Sequence, residues 1–144
     1  MDYELASKDI VRDLDTVGLG QAFALYCLKS RSWIHRAKDV SSEPPSDFGA
    51  EGYVAVLLGS QRRIAEVGGA DSAQSMVQIL SFLQDCVIDE VGYGWPEYHA
   101  DGRYVALLAP LAVADAVWWS LDGESICPVG GLPSLPSGTI KLDA

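Results

Sequence analysis

The chain has 144 residues, of which 49% are hydrophobic and 21% charged, and a formal net charge of −10. That length and composition predict one globular domain burying about two-thirds of its unfolded surface. No apolar run approaches the roughly 18 residues of a membrane span. The acidic balance disfavours direct contact with nucleic-acid phosphates or anionic membranes and suits a basic protein partner.

The start, Met1-Asp2-Tyr3-Glu4, is acidic and has no signal-peptide character. Cys27, Cys86 and Cys127 are odd in number and lack CxxC spacing. They predict reduced thiols in a cytoplasmic protein rather than a disulfide frame or zinc site. Ser7 fits the cap of a first helix, with Asp9 in its first turn and Ile10, Val11 and Leu14 as its stripe. Gly18-Leu19-Gly20 ends that helix. It is no dinucleotide fingerprint, because no strand precedes it and a third glycine is missing.

A second helix is predicted over residues 21–36. Phe23, Tyr26 and Cys27, then Ser30, Trp33 and Ile34, recur at helical spacing. Lys29, Arg31, His35, Arg36 and Lys38 gather towards its C-terminal end, where positive charge suits the macrodipole. The same cluster is a candidate seat for an anion. Residues 40–49, VSSEPPSDFG, read as a loop, since Pro44-Pro45 forbids helix.

Residues 51–67 admit two readings. Tyr53 to Leu58 has strand residues, while Val54, Leu57, Leu58 and Ile64 fit a helix, which is favoured. Gly68-Gly69 ends it. A further helix begins at Asp71 or Ser72, and Met76, Ile79, Leu80, Leu83 and Val87 form one face. Gly92 and Gly94 stop it, and Cys86 lies on its apolar side.

The C-terminal third carries the strand signal. Asp122-Gly123 between Ala116-Val117-Trp118-Trp119-Ser120 and Ser125-Ile126-Cys127-Pro128-Val129 predicts a hairpin, because both central residues of a type I′ turn need positive φ. Asp101-Gly102 marks a second turn, between Trp95-Pro96-Glu97-Tyr98-His99 and the run from Arg103 to Leu108. Pro96 and Pro128 point to edge positions. The tail from Gly131 is expected to be extended, with a short strand at Thr139-Ile140-Lys141-Leu142.

Adjacent Trp118 and Trp119 face opposite sides of a strand. One belongs to the core. The other, if exposed, is a contact anchor, because Trp is enriched in binding hot spots. Glu97, His99 and Asp101 alternate and would share a strand face, making them weak candidates for a metal or acid–base site. There is no Gly-x-Ser-x-Gly elbow, phosphate loop or HExxH. That shortage of catalytic parts favours a binding module.

The series Trp95-Pro96, His99, Pro110, Ala116-Val117-Trp118, Asp122-Gly123 and Pro128-Val129-Gly130-Gly131-Leu132 resembles a pattern in small uncharacterised actinobacterial proteins. Those have a helical N-terminal part and a Trp-Pro segment ending in a hairpin. The resemblance spans about forty residues and implies the hairpin but no activity. Where that family often has Cys after Trp-Pro, Glu97 stands here. In composition, the chain is also similar to toxin-immunity proteins and small phage-encoded inhibitors.

The expectation is thus a single α+β domain, with three to four N-terminal helices packed on a small antiparallel sheet formed by the C-terminal third. Residues 1–90 are mainly helical, 91–132 form the sheet, and 133–144 form the tail. The expected function is a non-enzymatic acidic protein-binding module without a cofactor. Its most concrete form is an immunity or inhibitor protein blocking a basic partner such as a toxin. Its contacts are Trp118 or Trp119, Tyr98, Tyr104, Asp101, Asp122 and Glu124. The alternatives are a small metal-binding or hydrolytic domain using Glu97, His99 and Asp101, and a structural subunit of a larger assembly. Oligomeric state is open.

Overall fold

Asp2, not Ser7, starts the first helix. In a computed structural model that describes residues 1–45, 48–69, 72–99 and 106–135, the Asp2 carboxylate accepts from the backbone N–H of Glu4 and Leu5 at 2.9 and 3.3 Å. Two orphan donors of the first turn are satisfied this way. Helix α1 (Tyr3–Leu14) turns Tyr3, Ser7, Ile10, Asp13 and Leu14 inward. Ser7 therefore lies inside the helix, with its hydroxyl buried and unpartnered among the described residues. A 3-10 turn follows α1, and Gly18 ends it at φ 76°.

The helix expected over residues 21–36 is instead a hairpin, β1 (Phe23–Cys27) with β2 (Ser32–Arg36). Its turn sets Arg31 at φ 52°. The favoured helix over 51–67 is likewise a hairpin, β3 (Tyr53–Leu58) with β4 (Arg62–Val67). One physical cause explains both corrections. β1 and β3 are the inner strands of a four-stranded antiparallel sheet ordered β2-β1-β3-β4, and both of their faces are covered. A strand buried on both faces loses the polar alternation that identifies strands. The polar turns that follow them, such as Lys29-Ser30-Arg31 after β1, then imitate the wet face of a helix.

The two faces are covered differently. Phe23, Leu25, Ala55 and Leu57 belong to the main core with the helices. Ala24, Tyr26, Val54 and Val56 belong to a second core, completed by Leu28, Ala37 and Val40. The chain leaving β2 thus folds back over the sheet. Ala37 N–H donates to the Phe23 carbonyl at 3.2 Å, and Arg36 Nη1 to the Val40 carbonyl at 2.6 Å.

Helix α2 (Ala73–Val91) forms where expected. The Ser72 hydroxyl accepts from Ser75 N–H at 3.1 Å, and Gly92 closes the helix at φ 81°. Asp71, the other candidate cap, lies outside the described residues. α2 contacts β3 and β4 and also the C-terminal strands, so it joins the two parts. Those strands are a short pair, β5 (Glu97–Tyr98) with β6 (Ala106–Leu107), and a meander of β7 (Ala109–Val113), β8 (Ala116–Leu121) and β9 (Glu124–Pro128). Asp122 and Gly123 make the β8–β9 turn at φ 51° and 81°, as a type I′ turn requires.

The architecture is α+β, but the arrangement expected from sequence is overturned. Two helices and three antiparallel sheets of nine strands are present among the described residues, and the largest sheet precedes α2. The strand expected at 139–142 lies outside the described residues.

Candidate functional site

The meander has a buried face and an open face, and alternation along β8 assigns the two tryptophans. Val117 and Trp119 point inward, and Trp119 is 0% exposed. Its indole Nε1–H donates to Asp13 Oδ2 at 2.8 Å. The same carboxylate accepts from Gly130 N–H at 2.6 Å and Leu132 N–H at 3.1 Å. Burial pushes the Asp13 carboxyl up to about 6, opposed by the bonds from Gly130, Trp119 and Leu132, while nearby Asp9 adds to the rise. Trp95 meets Trp119 edge-to-face at 5.6 Å, and its own Nε1–H donates to Thr16 Oγ1 at 3.1 Å.

Asp13 carries a role that the sequence alone did not reveal. The signal was a carboxylate between Ile10 and Leu14, on the stripe of α1 that faces the core. Such a group is rarely buried without partners. Here it fastens α1 to the loop that follows β9. Trp119 is therefore a core residue and leaves the set of candidate contacts.

Trp118 faces the other way and is half-buried. Its cross-strand neighbours are Leu111 on β7 and Pro128 on β9. Trp118 and Leu111 are not among the residues of either core cluster. Ala109 and Val113 share the Leu111 side of β7 by alternation; Ala109 is exposed and Val113 is 42% exposed. Carboxylates stand at both ends of the meander. Asp115 stands exposed at the β7–β8 turn, and Asp122 and Glu124 at the β8–β9 turn.

The remaining predicted residues lie elsewhere or outside the described residues. Tyr98 packs, half-buried, against the main core. Asp101 and Tyr104 lie outside the described residues. Glu97 and His99 do meet, with Oε1 and Nε2 3.0 Å apart. Among the described residues no group of three or more His, Cys, Asp or Glu could hold a metal ion. The thiols of Cys86 and Cys127 are buried and pushed up to about 11, chiefly by desolvation. Neither is a thiolate at neutral pH.

The basic cluster is redistributed by the new fold. Lys29 and Arg31 lie in the β1–β2 turn, and His35 and Arg36 on β2. His35 stacks on Phe23 at 5.6 Å, and burial holds its pKa below the ordinary value. No known protein-family model matches the chain, and neither a curated protein nor a solved structure is significantly similar to it. Among the described residues, no helix is long and apolar enough to cross a membrane.

Proposed function

We propose that this protein is a non-enzymatic acidic binding module that docks a basic protein through the open face of its C-terminal meander. The observation that carries this reading is the pairing of Trp118 with Leu111, outside both cores. A large aromatic in partial contact with solvent, beside exposed Val113 and on a meander whose turns carry Asp115, Asp122 and Glu124, has the make-up of an interface anchor with charged ends. The net charge of −10 would speed encounter with a basic partner. In its most concrete form the module is an inhibitor or immunity-type protein covering a basic active surface. The free cysteines agree with action in the cytoplasm.

The test is capture from the native host with tagged protein, washed at low and then high salt. One stoichiometric basic partner is expected, weakened by salt. Trp118→Ser should lose it while keeping the wild-type circular dichroism and melting curve. A folded Trp118→Ser protein that still captures the partner would rule out this surface.

The contact between Glu97 and His99 favours a second reading, a small metal-binding or acid–base site that would also use Asp101. It predicts a divalent metal retained in stoichiometric amount through purification, and lost in His99→Ala. Elemental analysis decides between the two.

A further inference from the structure

Beside the open face of the meander lies a second surface feature, a subsite of the proposed binding module whose assignment rests on that reading. Between α1 and the meander there is a cleft of about 280 Å³. Ile10, Met76 and Val117 line its interior, all of them buried. Leu5 stands at its lip, 58% exposed. The more open lining carries the carboxylates of Asp2, Asp9 and Asp115, and among the described lining residues there is no Lys, Arg or His. The one cation present, the Met1 ammonium, lies 3.1 Å from Asp115.

Size and chemistry narrow the occupant. Small-molecule sites run from roughly 300 to 1,000 Å³, so this cleft suits a single long side chain. An apolar interior below an anionic mouth matches a side chain with a hydrocarbon stem and a cationic head. A neutral apolar group would desolvate the carboxylates with nothing in return, and an anion would be repelled. Asp9 stands partly exposed at this mouth. Burial raises its carboxyl pKa, and Arg12, 3.6 Å away, only partly opposes this. The cleft also borders the proposed docking surface, since Asp115, Ala116 and Pro128 belong to the meander.

We infer that this cleft receives a Lys or Arg side chain of the basic partner, its stem on Ile10, Met76 and Val117 and its head among Asp2, Asp9 and Asp115.

The probe is n-hexylammonium chloride, titrated into the full chain and followed by methyl NMR, with hexan-1-ol as the uncharged control. Saturable shifts are expected at Leu5, Ile10, Met76 and Val117, with far weaker ones from the alcohol. The double variant Asp9→Asn/Asp115→Asn, altered only at partly or fully exposed positions, should weaken the ammonium by about threefold for each carboxylate removed. Equal response to the alcohol, or none to either probe, overturns the inference. Partner capture separates the two proposals. If Trp118→Ser loses a partner that the double variant retains at full strength, the docking surface stands and the cleft inference falls. If no partner is captured but hexylammonium saturates the cleft, the module reading falls, and a small organic cation replaces the side chain as occupant.

Discussion

Asp13 is the residue whose ionisation the fold has to manage. It accepts three hydrogen bonds, yet no cation touches it among the described residues. Desolvation therefore prevails, and its carboxyl stands at about 6 against an ordinary 3.8. A folded-state value above the unfolded one means that the folded protein holds this proton more tightly than the unfolded chain. The stabilisation is complete below about pH 4 and is lost as pH rises through 6. A rise from 3.8 to about 6 corresponds to roughly 3 kcal/mol. Asp13→Asn removes this titration and offers an N–H donor where only acceptors fit, at a cost of about 1–3 kcal/mol. Urea unfolding at a series of pH values should show wild type losing stability relative to Asp13→Asn between pH 4 and 7. A difference constant with pH would mean that Asp13 titrates as an exposed carboxylate does.

At the scale of elements, legibility depended on whether a segment has a wet side. α2 was readable because one of its faces is polar and Ser72 and Gly92 mark its ends, and the hairpin because Asp122-Gly123 marks its turn. β1 and β3 were not, because Ala24, Tyr26, Val54 and Val56 are buried by a loop on the side where polar residues would otherwise stand. The candidate surface was legible as far as the tryptophan pair, since alternation separates adjacent side chains. It could not decide between them, because the deciding partner, Asp13, lies 106 residues away. Trp119→Ala should therefore destabilise the fold by about 3–5 kcal/mol, the usual range for emptying a buried aromatic site, and more if Asp13 stays charged. Chemical denaturation measures it. A loss below about 1 kcal/mol would contradict the core role.

Across the whole molecule, burial is deepest in the inner strands of the first sheet. The Val54 to Val56 stretch of β3 is 0% exposed, with hydrogen-bonded neighbours on both edges. Native-state hydrogen exchange should find the amides of β1 and β3 the last to exchange, with the edge strands β2, β4 and β7 earlier. Slower exchange in the meander would place the most stable unit at the other end of the chain. The Asp13 clamp has a further consequence for a chain made on a ribosome. Its backbone donors come 117 and 119 residues later, and at about 5–20 residues per second that delay is roughly 6–24 seconds. During that interval α1 can rest on β2 and on Tyr53, but it holds a carboxylate whose partners have not yet been synthesised, and the clamp closes only when β9 and the loop after it emerge. An element made early is thus clamped late.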